Sequence, residues 1–285
     1  MKDKLVMVTG ATSGIGKVTA RELARQGATV IVVGRSREKC ETITNEIRTK
    51  TGNSTVSFMV ADLGSQAEIR RLATEFLAKH DHLDVLVNNA GAVNTSRIES
   101  PDGIELTFGL NHLNYFLLTH LLLPALKTAP TARIVNVASD AHSGSALNFD
   151  DLEYKQRRYN GFGAYAHSKL ANIMFTYELA RRLTGSTITA NALHPGFVST
   201  GFGANNGGLF TLVPFLARLI GVNEDKGAET SIYLASSTEV DGVSGAYFSE
   251  GRLSKSKAVS YDTAAQQRLW QISEQMTKIV EPMTV

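Results

Sequence analysis

Leu5-Val6-Met7-Val8-Thr9-Gly10-Ala11-Thr12-Ser13-Gly14-Ile15-Gly16 is the stretch that decides the fold. An apolar run of strand length opens it. A glycine-rich loop follows, and a helical pattern then continues to about Gln26. Strand, glycine loop and helix together are the setting in which such glycines acquire a ligand. Gly10 permits the tight turn. Gly14 lets the backbone approach a pyrophosphate, and Gly16 lets helix and strand pack closely. The helix N-terminus presents free N–H groups and the positive end of its dipole to phosphates. The spacing, Gly-x-x-x-Gly-x-Gly, is longer than the common dinucleotide form, and a purely structural turn is the competing reading. The candidate cradle is Gly10, Ser13, Gly14, Ile15 and Gly16.

From that stretch, strands and helices alternate. Ala28–Val33 reads as the second strand, and Gly34-Arg35-Ser36-Arg37 follows it. An acidic residue near this point would take ribose hydroxyls. Arg35 instead suits a 2′-phosphate, so NADP(H) is expected; a solvated charge at a helix start is the alternative. A polar helix near Arg37–Thr51 leads to a strand at Val56–Val60 and then Ala61-Asp62-Leu63. Asp62 either caps the next helix or accepts from an adenine amino group, and the two are compatible. After a helix near Gln66–His80, the strand Val85–Val87 ends in Asn88-Asn89-Ala90-Gly91.

One helix, about Ile104–Lys127, carries Asn111 and is apolar on most sides. It must be buried on more than one face, and a partner subunit would cover one of them. Arg133–Val137 leads to Ser139, and Thr187–Leu193 leads to His194-Pro195-Gly196-Phe197-Val198-Ser199-Thr200. A helix near Asp225–Ser236, a strand at Ala246–Phe248 and a helix near Ala264–Thr277 complete the pattern. It implies an α/β fold, a doubly wound parallel sheet of the Rossmann type with about seven strands and helices on both faces. Ligands sit beyond the carboxyl ends of such strands. The marked residues all fall there. No linker or repeat divides the chain, so a single domain over 1–285 is expected, with a substrate lid at about 201–222. The lid's Phe202, Leu209, Phe210, Phe215 and Leu216 suit an apolar substrate; packing of the lid on the body or contact with a membrane surface are the other uses of such residues.

Between Ser139 and Thr187 lies Gly163-Ala164-Tyr165-Ala166-His167-Ser168-Lys169-Leu170-Ala171-Asn172. Tyr165 and Lys169 stand one helical turn apart on one face. A phenol beside an ammonium is a proton donor whose pKa the cation draws down toward working pH. Such a pair also occurs on many helix surfaces, so the company it keeps carries the weight.

Bulk properties exclude several functions. The 285 residues are 43% hydrophobic and 20% charged, with a formal net charge of +2. Basic residues are dispersed, which argues against nucleic acid. The single cysteine, Cys40, sits among charges and reads as a bystander, so no disulfide or Cys-rich metal site is expected. Leu113–Leu126 is too short for a membrane span and is broken by Asn114, His120 and Pro124. Met1-Lys2-Asp3-Lys4 runs straight into the first strand, so neither signal peptide nor anchor is expected, and a cytoplasmic location fits.

Thr9-Gly10-x-x-x-Gly14-Ile15-Gly16, Asn88-Asn89-Ala90-Gly91, Asn111, Ser139, Tyr165-x-x-x-Lys169 and Pro195-Gly196 stand in the order of the classical short-chain dehydrogenase/reductase family. The resemblance spans nearly the whole chain. Tyr165-Ala166-His167-Ser168-Lys169-Leu170-Ala171-Asn172, His194-Pro195-Gly196, Tyr247-Phe248-Ser249 and Arg268-Leu269-Trp270 resemble its retinol dehydrogenase branch. The resemblance implies a catalytic set of Asn111, Ser139, Tyr165 and Lys169. Tyr165 would protonate the carbonyl oxygen, and Ser139 would hold that oxygen. Lys169 would tune Tyr165 and bind the nicotinamide ribose, and Asn111 would hold a water linking Lys169 to solvent. It also places Asn89, Ala90 and Gly91 against the cofactor, Asp62 and Leu63 at the adenine, and Pro195, Gly196, Val198 and Thr200 at the carboxamide. His167 and His194 are left outside the site, and His142 is a candidate lining of the substrate pocket. Asn88 and Asn89 could instead tie neighbouring strands, Asn111 could be an interior polar group, and Thr200 a loop cap. The expected activity is interconversion of a lipophilic aldehyde or ketone and its alcohol with NADP(H), by a homodimer or homotetramer. The alternatives are an NAD-dependent alcohol dehydrogenase and a non-catalytic nucleotide sensor or scaffold.

Overall fold

A computed structural model of the chain describes residues 1–196 and 223–279. The strands β1 (Leu5–Thr9), β2 (Thr29–Gly34), β3 (Ser57–Val60), β4 (Val85–Asn88), β5 (Ala132–Val137), β6 (Ile188–His194), β7 (Ala246–Ser249) and β8 (Arg252–Ser254) form one sheet in the order β3-β2-β1-β4-β5-β6-β7-β8. All neighbours pair parallel except β7 and β8. The order reverses between β1 and β4, and the carboxyl edge of the sheet opens there.

The strands read as continuous apolar runs because both faces are covered. Leu5 and Met7 of β1 pack into one core with Leu86, Tyr115, Phe116, Phe175 and Trp270. Val6 and Val8 pack into the other with Leu23, Ile47, Val135 and Leu234. The helices α1 (Gly14–Arg25), α2 (Arg37–Thr51) and α7 (Glu224–Ser236) supply the second layer. The helices α3 (Gln66–Leu77), α5 (Asn114–Thr128), α6 (Gly161–Arg182) and α8 (Thr263–Thr277) supply the first.

Three features depart from the expected elements. An eighth strand is present. β8 is short and exposed, with no apolar alternation to mark it; it pairs antiparallel with β7 across Glu250 (φ 51°) and Gly251 (φ 70°). Left-handed φ at both central residues is the hairpin turn that matches strand twist. The helix expected over Ile104–Lys127 is in fact three pieces: α4 (Leu106–Phe108), a π-helical turn at Gly109–Leu113, and α5. The C-terminal helix α8 packs on α6 and reaches Phe116 of α5, covering part of their apolar surface from within the chain. Trp270 there is 2% exposed, with its ring 5.0 Å from Phe116 and 5.8 Å from Phe175. Burying a side chain of that size is worth on the order of 3 kcal/mol. The residues assigned to the lid lie outside the described residues. Among the described residues no helix is long and apolar enough to cross a membrane, and no cluster of three or more His, Cys, Asp or Glu side chains could hold a metal ion.

Candidate active site

At the end of β1, Gly10 turns with φ 63° and Gly14 with φ 58°, left-handed values that favour glycine. A Cβ on Gly10 would lie 2.8 Å from Ala90 Cα, and one on Gly16 2.5 Å from the Gly10 carbonyl oxygen. Ser13 stands at the N-cap of α1 in extended conformation and makes no side-chain capping bond. The first N–H groups of α1 therefore have no side-chain cap from Ser13, which fits the pyrophosphate of a dinucleotide. Ile15 follows within the first turn of the helix.

The cradle is tied to β4 from below. The Thr9 hydroxyl accepts from Asn89 N (2.9 Å) and Ala90 N (3.1 Å) and donates to Val87 O (3.2 Å). The Asn89 amide donates to Thr9 O (2.8 Å) and Gly10 O (3.2 Å). Asn89 thus ties neighbouring strands as well as lining the cradle. Asn88 is fully buried and donates to Asn136 Oδ1 (2.9 Å) and Thr119 Oγ1 (3.1 Å).

Arg35 follows β2, is exposed, and makes no ion pair among the described residues. Ser36, not Arg35, begins α2, accepting from Lys39 N. A guanidinium in this place has its donors free for a 2′-phosphate. Asp62 is exposed after β3, and its Oδ1 accepts from Gly64 N (2.9 Å). It is not the cap of α3; Ser65 is, accepting from Glu68 N. Leu63 is buried beside it in the core. The Asp62 turn lies next to β2, since Ala61 N donates to Gly34 O at 3.0 Å, so the turns that carry Arg35 and Asp62 are neighbours at this edge.

At the other end, Ser139 follows β5 and caps a short 3-10 turn, its Oγ accepting from Ala141 N (3.2 Å). Its hydroxyl bonds the Tyr165 phenol. Lys169 is 3% exposed, donates to Val137 O (2.9 Å) and lies 5.6 Å from the Tyr165 ring centre. Burial pushes Tyr165 up to about 12, the Ser139 bond partly opposing it. Burial pushes Lys169 down to about 7. The expected drawing-down of the phenol by Lys169 is therefore reversed. Desolvation sets the direction, and Lys169, turned to the Val137 carbonyl, is not among the groups that oppose it.

Asn111 sits in the π-turn, fully buried. Its Oδ1 accepts from Ala92 N (2.8 Å), and its Nδ2 donates to Ala92 O (2.9 Å) and Ser168 Oγ (3.0 Å). A Cβ on Gly91 would lie 3.1 Å from Asn111 Oδ1 and 3.6 Å from Lys169 Nζ, so both border one small space. π-turns are frequent at functional sites. No sequence signal marked this one.

The histidines are framework. His142 is 1% exposed; its Nδ1 bonds Ser139 O (2.7 Å), and its Nε2 accepts from Lys257 N (3.0 Å). It anchors the Ser139 turn from behind. His194 Nδ1 accepts from Asp140 N (3.2 Å), and Tyr247 donates to Asp140 Oδ1 (2.6 Å). His167 meets Arg157 (3.2 Å). Pro195 and Gly196 close the description of this edge; Val198 and Thr200 lie outside the described residues, as do Phe202, Leu209, Phe210, Phe215 and Leu216. A cavity of about 870 Å³ opens at the other edge, by Arg133, Thr187 and Ile188 at the start of β5 and β6, away from this chemistry. Sequence reasoning missed the Thr9 hydroxyl, Ser168, Asn172, His112 and Ser273. The available signal was a polar side chain on an otherwise apolar helix face, as at Asn172.

A glycine cradle at a helix N-terminus and a serine-bonded tyrosine beside a buried lysine define a dinucleotide-binding oxidoreductase. The comparisons agree. The short chain dehydrogenase family profile matches residues 4–207. Human retinol dehydrogenase 13 is 42% identical over 286 residues, 98% of this chain and 86% of that protein. An uncharacterized protein from Mycobacterium paratuberculosis superposes with a TM-score of 0.80 at 36% identity, over 99% of this chain and 96% of that one. The Pseudomonas aeruginosa RhlG/NADP active-site complex gives a TM-score of 0.70 at 27% identity, over 87% and 95%. The chain belongs to the short-chain dehydrogenase/reductase family, in its retinol dehydrogenase branch.

Proposed function

We infer that the protein is an NADP(H)-dependent oxidoreductase interconverting a lipophilic aldehyde or ketone and its alcohol. The observation that carries this is the Ser139–Tyr165–Lys169 group, held against Asn111 at the mouth of the glycine cradle. When bound, the nicotinamide supplies the hydride for reduction or takes it in oxidation. Tyr165 gives its phenolic proton to the carbonyl oxygen. With its pKa at about 12 it is protonated at neutral pH, the state a proton donor needs. The Ser139 hydroxyl, already bonded to the phenol, holds the same oxygen and stabilises the charge developing on it. Lys169, at about 7, can give and recover a proton near working pH.

NADP(H) is favoured by Arg35, whose guanidinium has no acidic partner among the described residues, and by the NADP bound in the RhlG complex. A lipophilic substrate is favoured by the retinol dehydrogenase relatives and by Phe162, 66% exposed one turn before Tyr165. The test is titration of the purified protein with NADPH and with NADH, followed by a reductase screen over apolar aldehydes and ketones. NADPH binding at least tenfold tighter, about 1.4 kcal/mol, with turnover in the screen, is the expected result. Equal or reversed affinities remove Arg35 from the argument. Failure of either cofactor to bind overturns the enzyme reading in favour of a scaffold.

A further inference from the structure

The Asn111 carbonyl, within the π-turn, accepts from a side chain of α6: Asn172 Nδ2 donates to it at 2.9 Å. Asn172 Oδ1 lies 3.3 Å from His112 Nδ1, and His112 Nε2 lies 3.0 Å from Ser273 Oγ on α8. Asn111, His112, Asn172 and Ser273 are all fully buried. A carbonyl only accepts, and this fixes the Asn172 amide and, through it, His112 Nδ1. Asn172 must turn its amide N–H₂ to Asn111 and its oxygen to His112. Nδ1 of His112 must then carry a hydrogen. Burial holds the ring neutral, pushing it to about 4, so Nε2 is bare and takes the Ser273 proton only in competition with the Leu269 carbonyl. The Ser273 hydroxyl also lies 2.8 Å from Leu269 O, the competing acceptor for its one proton. The other neutral tautomer of His112 would set two lone pairs against each other at Asn172.

We propose that the Ser273–His112–Asn172 row is a positioning device, running from the C-terminal helix to the π-turn and setting the register in which Asn111 meets Lys169. None of the three touches the reacting atoms. Their effect runs through two links already described: the Asn111 side chain clasps Ala92 and Ser168, and its Oδ1 borders the space that holds Lys169 Nζ. The row fixes where that space opens. The inference rests on the proposed reduction chemistry, because its readout is proton delivery by Tyr165 and Lys169.

The test is a double-mutant cycle on Ser273 and His112. Ser273→Ala removes the donor to Nε2 and lets His112 adopt the wrong tautomer, while taking little from the fold. Its kcat falls three- to tenfold with the NADPH dissociation constant unchanged, and the pH profile of kcat shifts. His112→Asn places a fixed amide donor where Nδ1 stood. It retains most of kcat, and adding Ser273→Ala to it changes nothing further. Asn172→Asp, which accepts from His112 but cannot donate to the Asn111 carbonyl, loses more than Ser273→Ala. Equal losses from Ser273→Ala in the wild-type and His112→Asn backgrounds overturn the proposal, as does a loss confined to cofactor affinity or thermal stability. Tyr165→Phe, run alongside, separates the two readings: if it leaves turnover intact the reduction chemistry itself fails, whereas if it abolishes turnover and the cycle is flat, only the positioning row fails.

Discussion

The loop between β1 and α1 and the turn between α4 and α5 both serve the carboxyl edge of the sheet, yet they keep their shapes by different means. In the first, side chains are missing. Gly10 and Gly16 leave room where a Cβ would collide with Ala90 Cα and with the Gly10 carbonyl oxygen, and Ser13 leaves the helix N-terminus uncapped. In the second, polar side chains crowd together. Asn111, Asn172, His112 and Ser273 are fully buried and satisfy one another. A cradle made by omission accepts a large anion through backbone dipoles and tolerates its variation. A turn made of interlocked side chains holds one arrangement, which proton transfer requires.

Removing the phenolic hydroxyl breaks the second region outright. Tyr165→Phe should slow turnover at least about a hundredfold, the lower end for loss of a general acid, while NADPH binds as before. Single-turnover kinetics with the best substrate of the reductase screen, beside a cofactor titration, checks both halves. Unchanged turnover would detach the interlocked region from the chemistry. The converse break is Gly16→Ala. The new methyl must displace backbone at Gly10, an overpacking that costs about 1–3 kcal/mol. Affinity for NADPH should fall at least about tenfold, with a lower melting temperature. Wild-type affinity in that variant would mean that the loop does not receive the cofactor backbone.

The same contrast decides what could be read from the sequence. The glycine loop, Tyr165 and Lys169, and Asn88 to Gly91 are local patterns, and the structure sets them at one edge. The continuous apolar strands β1, β2, β4, β5 and β6 were legible because both faces are buried. β8 was not, because three exposed residues carry no periodicity and only the Glu250-Gly251 turn creates it. The π-turn was hidden because Gly109–Leu113 has the composition of ordinary helix, and the side chains that bond it, Asn172 and Ser273, are distant in sequence. Packing of α8 on α6 and on Phe116 of α5 could not be seen from the apolar faces alone, since a second subunit would leave the same pattern. The pKa of Tyr165 was misjudged for a related reason: proximity to Lys169 is written in the spacing, whereas desolvation is a property of the packed site.

Two smaller effects sharpen the comparison. Arg35→Ala should reduce the preference for NADPH over NADH about tenfold, roughly 1.4 kcal/mol, and leave NADH affinity unchanged. Parallel titrations read it, and an unaltered ratio would assign the 2′-phosphate to another group. With the pyrophosphate assigned to the glycines, this side chain should alter selectivity without altering turnover at saturating NADPH.

The last effect belongs to the interlocked turn alone. His112 is neutral in the folded protein, its pKa pushed by burial to about 4 from 6.5. An unfolded chain takes up that proton as the pH falls through 6.5, whereas the folded chain does not until about 4. The depressed pKa therefore favours unfolding progressively across that window, and the contribution is absent above it. From pH 7 to pH 5.5 the linkage amounts to about 1 kcal/mol. Other buried histidines add to the wild-type slope, His120 and His167 among them, so the measurement is a difference. Urea midpoints of wild type and His112→Asn at the two pH values should show the variant losing about 1 kcal/mol less on acidification. Parallel losses would mean that His112 titrates in the fold as it does in water, and a ring able to do that is not locked between Asn172 and Ser273.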